Sequence, residues 1–169
     1  MADMHAAADD GPDDLLVIHE DESPAGPVAA EHPWKILIVD DDRGVHEATV
    51  LALRHARVHG RPLSFLHAYS AAEALAQVGA TADLDLMLLD VVMETEDAGL
   101  RLVDRVREER ARRALRIVVR TGQPGYAAED KVRGDHEVDG YLLKAQMTGA
   151  QLLEALARAL GTRDDAGAS

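Results

Sequence analysis

The sequence predicts an α/β fold, a parallel sheet covered by helices on both faces, and three observations predict it. From Trp34 onward, strand-like and helix-like segments alternate. The runs ILIV, LMLL and IVV are continuously apolar, as strands buried on both faces must be. The segments between them carry apolar residues at helical spacing behind recognisable capping residues.

Taken in order, "KILIVD" (35–40) is an apolar run that ends in acid. Asp42 can cap a helix in which Val45, Ala48 and Ala52 fall at helical spacing. "PLSFLHAY" (62–69) is the second strand, and Ser70 with Glu73 forms a capping box that opens the second helix. Leu84–Leu89 is the third strand. Leu100, Val103 and Val106 mark the third helix, and Arg101, Arg105, Arg112 and Arg113 read as its solvated face. "LRIVVR" (115–120) is the fourth strand, before the turn signal "TGQPG" and a short helix around 126–133. "VDGYLLK" (138–144) is the fifth. A second capping box, Thr148 with Gln151, opens a last helix with Leu152, Leu153, Leu156, Ala159 and Leu160 on one side, and Gly161 can end it. Five strands, each followed by a helix, require right-handed crossovers and a parallel sheet.

Composition narrows the function. The chain of 169 residues has no cysteine, which excludes disulfides and thiolate metal sites. No apolar run approaches the roughly 18 residues of a membrane span, and the start lacks the basic and apolar parts of a secretory signal, so membrane insertion is not expected and the location reads as cytoplasmic. The net charge is −13, and residues 1–33 hold nine acids with no Lys or Arg. Such a surface disfavours direct binding to nucleic acid. The expected division is an acidic, disordered arm over 1–33, a folded body over 34–160 and a flexible tail over 161–169.

Ligands of such sheets bind beyond the carboxyl ends of the strands. Those ends carry Asp40, Asp41 and Asp42, then Asp90, Thr121 and Lys144. Each has a dull explanation alone, since an acid after a strand commonly caps a helix and a lone Lys is commonly solvated. Together they are costly: two carboxylates about 5 Å apart repel by roughly 3 kcal/mol at an effective dielectric near 20. Lys144 supplies one positive charge, and an oxygen-only site of few carboxylates suits Mg²⁺ as the supplement. A carboxylate beside Mg²⁺ and Lys144 can attack phosphorus. Asp90, which ends a central strand before a loop, is the candidate nucleophile, with Asp40 and Asp41 as metal holders.

Four motifs in order, "ILIVDDD", "LMLLDVVM", "VVRTG" and "YLLK", resemble the receiver domain of bacterial two-component response regulators over about residues 34–160. "VHEAT", "LDVVMETEDAGLRLV" and "RTGQPG" resemble a subgroup found at the front of larger multidomain regulators. The resemblance implies a flavodoxin-like sheet of order 2-1-3-4-5. It makes Asp90 the phosphoacceptor for a histidine kinase or phosphotransfer protein, and Asp41, Asp90 and the Val92 backbone carbonyl direct Mg²⁺ ligands, with Asp40 acting through water. It makes Lys144 the phosphoryl partner, Thr121 the switch hydroxyl and Tyr141 the aromatic that follows it. The downstream protein target and self-association as a homodimer stay open. Glu94 stands where the family has proline, the loop to Gly99 is one residue longer, and Val92 and Gln123 occupy positions that tune phosphate lifetime.

The function this implies is a Mg²⁺-dependent phosphorylatable receiver without an output domain, a switch rather than an enzyme with an external substrate. The alternative is a scaffold that no longer accepts phosphate. A Mg²⁺-dependent phosphohydrolase of similar layout needs a second acid two residues after the nucleophile, where Val92 stands.

Overall fold

The structure, a computed structural model, describes residues 32–109, 112–122 and 129–161. The arm over 1–33 and the tail over 161–169 therefore fall almost wholly outside the described residues, as does Gln123.

Chain order is β1 (Trp34–Val39), α1 (Arg43–Leu53), β2 (Arg57–Val58), β3 (Arg61–Ala68), α2 (Ala71–Ala80), β4 (Leu86–Asp90), α3 (Ala98–Glu108), β5 (Arg116–Thr121), α4 (Glu129–Asp135), β6 (Gly140–Leu143), a 3₁₀ turn (Lys144–Gln146) and α5 (Gly149–Gly161). The sheet runs β2-β3-β1-β4-β5-β6. All its pairs are parallel except β2 with β3. With β2 set aside, the order is the expected 2-1-3-4-5.

The sixth strand is a correction to the five expected. β2 is a two-residue strand that pairs antiparallel with the start of β3, Arg57 opposite Pro62 and Val58 opposite Arg61. Its turn places His59 and Gly60 at φ 48° and 78°, the left-handed pair a two-residue hairpin requires. Glycine takes that conformation freely but histidine does not, so "HG" is a weaker written signal than Asn-Gly. Trp34 holds the hairpin down: its indole Nε1 donates to the Val58 carbonyl at 2.8 Å, and Arg61 lies 3.5 Å over its ring.

Alternate side chains of the strands enter two cores. Leu37, Val39, Met87, Leu89, Ile117 and Val119 pack with Ala74 and Val78 of α2, Leu102, Val103 and Val106 of α3, and Val132 of α4. Ile36, Leu86, Leu88 and Val118 pack with Leu53 of α1 and Leu152, Leu156, Ala159 and Leu160 of α5. Each fully buried aliphatic side chain contributes roughly 1.5–3 kcal/mol of transfer free energy, so the two layers carry the fold.

The caps at Asp42 and Thr148 act as read, and at Ser70 the Glu73 carboxylate reaches one residue further back than the capping box predicts. Asp42 accepts from Gly44 N at 2.8 Å. Ser70 Oγ accepts from Glu73 N at 3.1 Å while Glu73 reaches back to Tyr69 N at 2.8 Å. Thr148 and Gln151 satisfy each other's N–H at 2.9 and 3.2 Å.

Two helix faces differ from expectation. α1 buries His46, Thr49 and Leu53, one step around from Val45, Ala48 and Ala52. His46 and Thr49 tolerate burial because both are hydrogen-bonded: Thr49 Oγ1 donates to Val45 O at 2.7 Å, and His46 lies 2.7 Å from Asp40 O. The arginines after Val103 do not form one solvated face. Arg107 is buried, and Arg112, beyond the end of α3, donates to Thr81 O at 3.2 Å.

Candidate functional site

The parallel sheet brings the carboxyl ends of β1, β4, β5 and β6 side by side, and the chemistry-bearing residues stand on that edge. Asp40 directly follows β1, Asp90 and Thr121 end β4 and β5, and Lys144 opens the turn after β6. Asp40 is 0% and Asp90 4% exposed, whereas Asp41 faces solvent. The Lys144 ammonium stands between the two buried acids, 2.8 Å from Asp90 Oδ2 and 2.9 Å from Asp40 Oδ2. One oxygen from each of Asp40, Asp41 and Asp90 lies within 4.8 Å of the others. The remaining oxygens are pinned by backbone: Asp90 Oδ1 accepts from Val92 N at 3.2 Å and Asp40 Oδ1 from Asp42 N at 2.9 Å.

The electrostatics report an excess of negative charge. Burial pushes the Asp90 carboxyl above the ordinary value, and the hydrogen bond from Lys144 only partly opposes it, while Asp40 adds to the rise. Burial alone would lower the Lys144 ammonium, but its contacts with Asp90 and Asp40 outweigh that and leave it raised. By charge count, the three carboxylates of Asp40, Asp41 and Asp90 outnumber the Lys144 ammonium that meets them. The Asp40 Oδ2 contact with Lys144 is an ion pair without hydrogen-bond alignment, so this buried oxygen has no hydrogen-bond donor among the described residues. Three converging carboxylate oxygens fit a hard divalent ion that keeps its own waters.

The other expected residues divide. Thr121 is buried beside Asp90's strand, and its neighbour Gly122 passes over the Lys144 stem, where an added Cβ would sit 3.9 Å from Lys144 Cδ. Val92 stands next to the cluster through its N–H. Tyr141 pairs with Val119, two residues back from Thr121 in register, and packs on the α3 side of the sheet, half-buried. Burial raises its phenol, with the Glu129 carboxylate adding to the rise. Glu94 has a use of its own: Oε1 accepts from Ala71 N at 2.9 Å, tying the longer loop to the start of α2.

Two residues with clear duties escaped the reading of the sequence. Gly99 donates to Val91 O at 3.0 Å, and a Cβ there would sit 2.2 Å from Asp90 O, so only glycine lets α3 approach the loop after β4. Arg120 is fully buried in β5 with its guanidinium 3.5 Å from Asp40. Its written signal was a charge inside an otherwise apolar strand.

A parallel sheet with acids, a hydroxyl and an ammonium gathered at its carboxyl edge defines an α/β protein with an acidic site able to hold a cation. Comparison with known proteins narrows that class. A family model described as "Response regulator receiver domain" matches residues 36–157, and the chain belongs to that family. A relative from Vibrio cholerae serotype O1, 3'3'-cGAMP-specific phosphodiesterase 2, is 44% identical over 73% of this chain, and the match spans 24% of that protein. The chain thus spans about a quarter of that relative's length. Among solved structures, a CheY-like response regulator receiver domain protein from Methanospirillum hungatei JF-1 superimposes with a TM-score of 0.66 at 22% identity, covering 80% of this chain and 100% of that one. A response regulator receiver protein from Pseudomonas putida is 28% identical with a TM-score of 0.62, over 74% and 96%. No described helix is long and apolar enough to cross a membrane.

Proposed function

We propose that this receiver is a phosphorylatable switch in which Asp90 takes a phosphoryl group from a histidine kinase or phosphotransfer protein. The observation that carries the reading is the Lys144 ammonium shared between Asp90 and Asp40, with an Asp41 oxygen in the same cluster. Asp41, Asp90 and the Val92 carbonyl would hold Mg²⁺ directly, with Asp40 acting through a water. When bound, the ion would neutralise charge on the phosphoryl oxygens. In the transfer, an Asp90 carboxylate oxygen forms the new O–P bond as the N–P bond of the donor phosphohistidine breaks. The released imidazole nitrogen then takes a proton from solvent. Lys144, already at Asp90, would follow the charge onto a phosphoryl oxygen.

Phosphorylation changes the charge on Asp90 from −1 toward −2 and adds strong acceptors. Thr121, ending the neighbouring strand, would donate to one of them, and Tyr141 would follow its movement. A hydrogen bond to a charged group contributes about 1.5–3 kcal/mol. Shifting an ensemble from 1:99 to 99:1 takes about 5.5 kcal/mol. Thr121 alone is insufficient, and a bound protein partner would complete the shift. We read residues 34–160 as this switch in a cytoplasmic setting, flanked by an acidic arm and a short tail.

Intact mass after incubation with acetyl phosphate and Mg²⁺ tests the reading. Wild type should gain one phosphoryl group and Asp90→Asn none. No gain in wild type, or an equal gain in the variant, overturns it.

A further inference from the structure

Among the described residues Arg120 is the least explained charge. It lies in a strand whose neighbours Val118, Val119 and Thr121 are as buried as it is, and no motif of the sequence assigned it a task. Its backbone carbonyl accepts from Val91 N at 3.0 Å, which ties β5 to the residue after Asp90. Its side chain runs to the opposite face of β5 from Val119 and meets α1, where Nη1 donates to Thr49 Oγ1 at 3.1 Å. Nη2 stands 3.5 Å from Asp40 Oδ2, the same oxygen that Lys144 approaches. Nε and Nη2 have no hydrogen-bond acceptor among the described residues. A guanidinium placed for architecture spends its five donors. This one is left with donors to spare, beside an oxygen that two cations share.

Resting on the proposed phosphoacceptor reading, we infer that Arg120 is a positioning residue for the acidic pocket, a resident cation that balances Asp40 and so competes with the divalent ion for the same negative charge. The charge count explains why such a residue is useful. Asp40, Asp41 and Asp90 against Lys144 and Arg120 leave the empty pocket one charge negative, where Lys144 alone would leave it two. With the ion bound the pocket is one charge positive, and turning Asp90 into an acyl phosphate of about −2 brings it to neutrality. Without Arg120 the loaded pocket would already be neutral and would turn negative on phosphorylation. Arg120 thus weakens ion binding in the resting state and favours the phosphorylated one. A device of this kind costs stability in the absence of the ion, because burial opposes a charged guanidinium.

The experiment is a Mg²⁺ titration followed by amide chemical shifts, on wild type, Arg120→Met, Arg120→Gln and Arg120→Lys. Removing one positive charge from beside a divalent ion should tighten its Kd about tenfold in both neutral variants. Arg120→Lys keeps the charge and should stay within about twofold of wild type. Damage to packing alone would weaken binding, the opposite sign. An unchanged or weaker Kd in the neutral variants overturns the inference. Thermal melts cover variants that fold poorly: millimolar Mg²⁺ should raise the melting temperature of Arg120→Met more than that of wild type. If both neutral variants stay unfolded with the ion added, ion and guanidinium do not balance the same charge and the inference falls. Failure of the underlying reading looks different: wild type itself would show no Mg²⁺ shift that Asp41→Asn abolishes, and no phosphoryl gain.

Discussion

Among the described residues two arginines are buried, at opposite edges of one sheet, and they are held by different means. Arg107 of α3 sits at the amino edge. Its Nε donates to Glu137 O at 2.9 Å, its Nη1 to Leu115 O at 2.6 Å and more loosely to Arg112 and Arg113 carbonyls at 3.3 Å, and its Nη2 to Asp139 at 3.1 Å. Asp139 is itself satisfied, since it also accepts from Ile117 N at 2.8 Å. Arg120, at the carboxyl edge, has one neutral acceptor and one carboxylate at ion-pair distance. A charge whose donors are all used is a joint, binding α3 to the starts of β5 and β6. A buried charge with donors unused is instead under electrostatic load. The sheet thus keeps its fastening at one edge and its unbalanced charge at the other.

The largest test of this contrast removes the fastening. Arg107→Met should cost about 3 kcal/mol in urea unfolding, because it strands a partly buried carboxylate and several carbonyls. Mg²⁺ should recover none of that loss, in contrast to Arg120→Met. Equal recovery in the two variants would erase the distinction between the edges. Gly99→Ala comes next. Its Cβ would fall 2.2 Å from Asp90 O, and because that contact is backbone, α3 must back away from the loop. The expected cost is about 1–3 kcal/mol, as for overpacking elsewhere, with loss of phosphoryl uptake from acetyl phosphate. Full uptake in a stable Gly99→Ala protein would show that the close approach does not set the position of Asp90.

Smaller, and opposite in sign, is Asp90→Asn. The folded state raises the Asp90 carboxyl above its unfolded value of 3.8, chiefly by burial. Its contribution to stability is therefore present below pH 3.8 and lost as pH rises through the folded value. At neutral pH the ionised group opposes folding, so Asp90→Asn should stabilise the ion-free protein by about 1 kcal/mol, a few degrees in melting temperature. Mg²⁺ should shrink or reverse the gain. Asp139→Asn at the other edge should destabilise, since that carboxylate has Arg107 and Ile117 N as partners. Destabilisation by both substitutions would mean that Asp90 is as well satisfied as Asp139.

The two edges also differed in how far the sequence showed them. Asp40, Asp90, Thr121 and Lys144 were legible because parallel strands end on one side, so the residue after each apolar run must converge with the others. The capping boxes at Ser70 and Thr148 were legible because they are local. Arg107 was not, for its partners lie as far as 32 residues away and helical spacing alone cannot tell a buried arginine from a solvated one. Arg120 was written plainly as a charge inside IVVRT, but its meaning needed the distance to Asp40, which only the β1–β4–β5 packing supplies. The α1 face slipped by one step for the same reason. His46 and Thr49 are polar, and nothing local says that Asp40 O and Arg120 wait for them.

His46 leads to the smallest effect, on the far side of Asp40 from Lys144. Its Nε2 lies 2.7 Å from the Asp40 carbonyl, which can only accept, so that nitrogen carries a proton. Its Nδ1 lies 2.8 Å from His67 Nδ1, and one proton shared there satisfies two neutral rings. A second proton at that contact would break it. Burial first, and electrostatic coupling to His46 second, hold His67 below its ordinary 6.5. A lowered histidine binds fewer protons folded than unfolded, so its contribution is complete above pH 6.5 and is lost as pH falls through the folded value. Arg43, stacked 4.5 Å over Tyr69, Arg54 and Glu47 line the same cleft as His67. Wild type should therefore lose urea stability as pH falls below 6.5, and His67→Gln should flatten that slope. The effect should be smaller than that of Asp90→Asn, because the His67 ring is half-exposed and water screens it. A slope unchanged in His67→Gln would assign the loss to another group and leave Asp40's support independent of this pair.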